Sequence, residues 1–265
     1  ESNKFLNNEQ LNNQGGPYIS GVAVQILGYG KRTVISNTFE SNALDHRFNF
    51  AYGGSLFIAG NVGINNTKFV ESIELKENIF NKNYSYMGNV YIRSKSVKIE
   101  KNQFNKNSGY NRGIGIDYSG FNHQNPNSEC LINANSFIEN YLTAPGTGLG
   151  GSIVELDRVG NCNVQNNLFQ KNRSGSSPIM NVRGVNGYLV NVTNNIFDEN
   201  QIYGVSTNSR VGIMKGLYLS AKGNVLKSNS LTLSSTSNTG QGSLGAIVCE
   251  YDCFIRNNLI ADNES

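Results

Sequence analysis

The residues of this chain most able to make a covalent bond are its four cysteines, Cys130, Cys162, Cys249 and Cys253. Cys130 and Cys162 each stand seven residues before a phenylalanine in closely similar hexads, "NSFIEN" and "NLFQKN". If the two hexads are stacked copies of one unit, the cysteine Cα atoms lie about 5 Å apart, inside the window that a disulfide requires. Cys249 and Cys253 bracket the short run "CEYDC", where a second bridge would close a corner. Four buried small hydrophobes are the plainer alternative for these residues. The two histidines, His46 and His123, do not partner the cysteines, so no metal site is expected.

Acid–base chemistry has one candidate locus. Asp117 and Glu155 each lie four residues after the glycine that leads a strand in neighbouring units, with Arg112, His123, Asp157 and Arg158 close in sequence. Two carboxylates on one face could serve glycoside hydrolysis, or a cation and base site of a lyase. An ordinary solvated face is the alternative. Tyr86, Tyr110 and Tyr203 each follow a hexad's central residue by six. Stacked tyrosines could form a sugar-binding platform, since the ring is flat and apolar with a polar tip, or could simply pack a corner. Five Asn-x-Ser/Thr sequons occur, at Asn65, Asn83, Asn172, Asn191 and Asn263. Asn65 in a loop insertion and Asn191 on the outer side of a strand are the expected glycan acceptors, because the other three belong to the repeat itself.

The elements that position these residues are repeats. Asn-x-apolar-x-x-Asn occurs nine times, at 3–8, 37–42, 78–83, 102–107, 135–140, 167–172, 195–200, 224–229 and 258–263. The central residue is phenylalanine seven times, including Phe39, Phe80, Phe104, Phe137, Phe169 and Phe197, and then Leu226 and Ile260. Upstream, apolar residues alternate with polar ones, as in Ile73/Leu75, Val97/Ile99 and Val190/Val192. Period two with one apolar side is a half-buried strand. Between hexads runs a second, glycine-led strand, such as "GGSLFI" at 53–58 or "GGSIVEL" at 150–156. Each unit thus reads as strand, Asn-flanked turn, Gly-led strand and variable loop. Such units stack into a solenoid in which the phenylalanines fill the interior. Asn83, Asn107, Asn140, Asn172 and Asn200 are expected to bond amide to amide up one column.

The fold expected is all-β: one right-handed, single-stranded parallel β-helix over residues 1–265, with about eight to nine coils. Asparagine makes up about one residue in six, only 15% of residues are charged, and the net charge is +3. Nothing there calls for a nucleic-acid partner, a cofactor or a membrane span.

The recurring FxxN (Phe39–Asn42, Phe80–Asn83, Phe104–Asn107 and four more), with "GGSL" at 53–56 and "GGSI" at 150–153, resembles the polymorphic outer membrane protein repeat. That resemblance implies a surface or secreted β-helix used for display or adhesion, and it brings no catalytic residues. The function expected is therefore an extracellular or cell-surface structural or adhesive module. A carbohydrate-active enzyme (polysaccharide lyase or glycoside hydrolase) and a non-catalytic glycan-binding module are the alternatives, with a carbohydrate or surface protein as partner. Repeats run to both ends without an amphipathic helix or charged cap. Flanking repeats of a longer chain, or further copies stacked into a filament, are expected to cover them.

Overall fold

A computed structural model describes residues 2–11, 18–20, 23–45, 50–52, 54–59, 70–85, 88–109, 114–117, 129–143, 152–184, 188–205, 210–233 and 243–264. Among them every regular element is a β-strand, and every ladder between strands is parallel. The strands collect into four long sheets, with a two-stranded accessory pair, Tyr18–Ser20 on Phe50–Tyr52. Each sheet takes one strand from successive coils, so the protein is a parallel β-solenoid.

Following one coil gives the order. Val97–Glu100 belongs to what we call the cysteine sheet, which also holds Cys130–Asn133 and Cys162–Gln165. Gln103–Asn105 belongs to the phenylalanine sheet, Ser108–Gly109 to the tyrosine sheet, and Ile114–Asp117 to the glycine-led sheet. The phenylalanine sheet has nine strands and the other three have eight each.

Four strands per coil is finer than the two-strand unit expected from the sequence. The hexad is not a turn. It is a three-residue strand with a corner on each side, and three residues are too few for an alternating pattern to be read as a strand.

Both corners are built alike. The residue before each ladder asparagine from Asn8 onward has positive φ: Lys101 (56°) before Asn102 and Lys106 (54°) before Asn107, with equivalents such as Glu77, Lys82, Ala134, Glu139, Lys171 and Glu199. Left-handed backbone in a residue with a Cβ costs roughly 1–2 kcal/mol. Sixteen non-glycine residues accept it at these corners, so the asparagine that follows must offset the strain. It does so with its amide. Asn107 N–H and Nδ2 both donate to Asn140 Oδ1, at 3.0 Å each, while Nδ2 also donates to the Phe80 carbonyl at 2.9 Å. Its own Oδ1 accepts from Asn83 N–H and Nδ2.

Two such ladders run the length of the solenoid, one from Asn3 to Asn258 and one from Asn8 to Asn263, with amide contacts of 2.8 to 3.2 Å. Asn83, Asn107, Asn140, Asn172 and Asn200 are consecutive rungs of the second ladder, in the column that the sequence places them. Asn200 shows the bonding at the far end of that run. Its Oδ1 accepts from Asn172 Nδ2 at 3.0 Å, and its Nδ2 donates to Asn229 Oδ1 and to the Phe169 carbonyl, both at 2.9 Å. Every ladder asparagine from Asn37 to Asn229 is buried.

Inside, the anchors stack. Seven phenylalanine rings, from Phe5 to Phe197, lie face on face with centroids 4.6 to 5.0 Å apart and near-parallel planes. The spacing is that of neighbouring parallel strands, so the stack follows from the register. Leu226 and Ile260 continue it below Phe197. The alternating residues of the cysteine sheet, such as Ile73, Val97, Val190 and Leu219, close the same core.

Candidate functional site

The cysteine sheet brings its two cysteines together directly. Cys130 pairs with Cys162 across adjacent coils, the Cα atoms are 4.5 Å apart, and the bridge lies in the core with both residues at 2% exposure or less. A second bridge, Cys249–Cys253, spans the corner between the last glycine-led strand, Ser243–Cys249, and Cys253–Arg256, with Cα atoms 6.4 Å apart. Both disulfides are therefore staples, one between coils and one within a corner.

The glycine-led sheet carries the carboxylates, and its register is not the one obtained by counting from glycine. Asp117 stands opposite Asp157, while Glu155 stands opposite Gly115, so Asp117 and Glu155 are not cross-strand partners. The strand Val154–Val159 begins two residues later relative to its leading glycines than Ile114–Asp117 does, and counting from glycine slips by one pleat. Asp157 faces Arg183 at 3.7 Å, and Lys215 holds Glu250 at 2.8 Å. Glu155 is buried in register with Asn181, itself buried and followed by Lys215. The Glu155 column thus runs acid, amide and base, while the directly opposed carboxylate pair in the register is Asp117 and Asp157. Among the described residues no group of three His, Cys, Asp or Glu side chains is placed to hold a metal ion. Arg112 and His123 lie outside the described residues, as do His46 and Asn65.

The tyrosine sheet has the most individual chemistry. Tyr86 and Tyr110 lie outside the described residues, but Tyr203 is placed, and its partner is one that counting did not single out. Its ring stacks on Tyr141, two coils back, with centroids 6.0 Å apart and planes 11° from parallel. The strand between them, Arg173–Gly175, makes this possible. Gly175 pairs with Tyr203 and puts no side chain beneath the ring. The Tyr203 hydroxyl then reaches across to donate to the Leu142 carbonyl at 3.0 Å. Arg173 pairs with Tyr141, and its guanidinium carbon sits 5.4 Å from the Tyr141 centroid and 5.6 Å from that of Tyr203. Both distances are within cation–π range. Burial pushes the Tyr203 phenol well above its ordinary range, helped by its hydrogen bond with Tyr141 and opposed by the Arg173 charge.

Asn191 occupies the strand Val190–Thr193, where its Nδ2 donates to Asn163 Oδ1 at 3.1 Å on the outer face of the cysteine sheet. The sequons at Asn83, Asn172 and Asn263 all fall on the second ladder, where the amides are engaged.

The geometry defines a class: a disulfide-stapled parallel β-solenoid with two asparagine ladders and a phenylalanine stack. The chain matches no known protein family, no curated protein and no solved structure.

Proposed function

We propose that this chain is an extracellular, cell-surface β-solenoid module with a structural or adhesive role, of the kind implied by its resemblance to the polymorphic outer membrane protein repeat. The Cys130–Cys162 bridge carries the reading. Persistent disulfides belong to oxidising compartments, and this one lies in the core, between coils, where it does nothing but hold. The inward positions of each coil are taken up by stacking, which leaves the long outer faces for display.

The ends support further coils as partners. Both ladders have polarity: at Asn258 and Asn263 the amide hydrogens that would reach the next coil face outward, and at Asn3 and Asn8 it is Oδ1 that does so. Beside those donors Phe254, Ile255, Leu259 and Ile260 are each about half exposed, at 48 to 56%. One additional coil of the same sequence type covers both features. A second copy set in register on the phenylalanine sheet leaves a one-strand gap in each of the other three, because that sheet has nine strands to their eight.

Mass spectrometry of the protein from its natural source, digested without reduction, tests the reading. Cys130–Cys162 and Cys249–Cys253 peptides are expected, with glycan on Asn65 or Asn191. Four alkylatable thiols and no glycan would place the protein in a reducing compartment and overturn it.

A further inference from the structure

We infer that Tyr141, Arg173 and Tyr203 form a binding site for an anionic saccharide, a sugar carrying a carboxylate. The inference rests on the adhesive reading for its purpose, but its chemistry stands on the cluster alone. Arg173 is exposed, and among the described residues no carboxylate pairs with it and no carbonyl accepts from its guanidinium. Nearby cations are treated differently. Lys106 pairs with Glu139 and Lys171 with Glu199 along the adjacent corner. Arg173 is instead held by two aromatic faces, which position a guanidinium without using its donors. A planar fork of free N–H groups in a fixed place is suited to bidentate recognition of a carboxylate.

The rings supply the second half. Tyr141 is 37% exposed, and Tyr203 is anchored through its hydroxyl to the Leu142 carbonyl, so the pair forms a rigid apolar step beside the cation. A pyranose presents an apolar C–H face and an equatorial rim of hydroxyls, and a uronate adds a carboxylate at that rim. Ser108, Tyr141, Arg173 and Gln201 are successive rungs of one outer column, so an oligouronate laid along it with one ring against Tyr141 brings a carboxylate to Arg173 and hydroxyls of its neighbouring residues to Ser108 and Gln201. A peptide carboxylate could use the arginine but would leave the aromatic step and these neutral polar groups without a matching surface.

The test is titration calorimetry of the disulfide-intact chain with oligogalacturonate, with maltohexaose as a neutral sugar and dextran sulfate as a test of charge alone. Oligogalacturonate is expected to bind and maltohexaose not to. Arg173→Ala and Tyr141→Ala should each weaken oligogalacturonate at least tenfold, and Lys98→Ala on another face should leave it unchanged. Arg173 and Tyr141 are exposed at the surface, and unchanged circular dichroism and melting would show that the variants fold. Absence of binding by the wild-type chain, equal loss in Lys98→Ala, or dextran sulfate binding as tightly as oligogalacturonate would each overturn the assignment. None of these outcomes depends on where the protein resides, so the disulfide experiment can fail independently.

Discussion

Replacing Asn107 by aspartate changes one heavy atom in the ladder and leaves no cavity. Asn107 is 4% exposed. Its Oδ1 accepts from Asn83 N–H and Nδ2, and aspartate keeps both bonds. The other side is inverted. Where Nδ2 donated to the Phe80 carbonyl at 2.9 Å and to Asn140 Oδ1 at 3.0 Å, a carboxylate oxygen now meets two acceptors. Two hydrogen bonds are lost at about 0.5–1.5 kcal/mol each, and a buried charge is left without a partner. An uncompensated buried charge costs about 3–5 kcal/mol, a large share of the 5–15 kcal/mol typical of a whole domain.

The sign of the pH dependence distinguishes this account from generic damage. Desolvation and the two facing oxygens disfavour the charged form, so the folded pKa rises above the unfolded value of about 3.9. A raised carboxyl gives its full stabilising contribution below the unfolded value, and that contribution is lost as pH climbs through the folded one. Urea denaturation of wild type and Asn107→Asp should therefore show a gap of at least about 3 kcal/mol at about pH 7, narrowing by more than about 1 kcal/mol at about pH 4.5 as the neutral acid regains one donor. A gap that is small at neutral pH, or that does not change with pH, would refute the reciprocal ladder. Asn263→Asp should cost less, because Asn263 is half-buried at the end of the ladder and its Nδ2 donates to the Leu226 carbonyl alone.

Phe104, 2% exposed between Phe80 and Phe137, should cost about 3–5 kcal/mol on truncation to alanine, measured by chemical denaturation; a near-neutral result would contradict the stack. Replacing both Cys130 and Cys162 by alanine removes a link across 32 residues and should lower stability by about 3–4 kcal/mol in guanidinium titrations, and a loss under about 1 kcal/mol would count against the bridge as a staple. The Tyr203 phenol is raised first by burial, so its contribution is intact below the ordinary tyrosine value of about 10 and lost as pH rises beyond it. Melting temperatures between about pH 9 and about pH 11 should fall more steeply for wild type than for Tyr203→Phe, and parallel curves would count against the Tyr203 environment.

Much of the solenoid is written in the hexads. A residue type recurring at Phe39, Phe80, Phe104 and onward can only stack if its strands are parallel and in register, and the register is that stack. The ladder from Asn83 to Asn200 was legible on the same grounds, because each asparagine closes a hexad at a fixed distance from its ring. So was the cysteine pair, since seven residues before the anchor is one fixed place on the coil. Counting failed where the chain between landmarks varies. Asp117 and Glu155 share a distance from glycine, but glycine is a feature of the preceding loop, whereas the strands align through Ile114 on Val154 and Ile116 on Leu156. The third strand of the coil went unseen because pieces such as Ser108–Gly109 and Tyr141–Leu142 are two residues long.

What remained invisible is what breaks the repeat. A ladder satisfies each asparagine with the next, so every copy must resemble its neighbours, and a surface made only of copies can distinguish nothing. Distinction requires a coil that departs from the pattern at an outward position. The coil at Arg173–Gly175 does so twice, placing a cation beside Tyr141 and an absent side chain beneath Tyr203. Neither residue is unusual by itself. Only the parallel register brings Tyr141 and Tyr203 within 6.0 Å over a glycine from the coil between. A site assembled from three coils, one residue each, has no motif to find. Along this solenoid the repeats define the frame, and the departures from it mark where the frame can recognise something else.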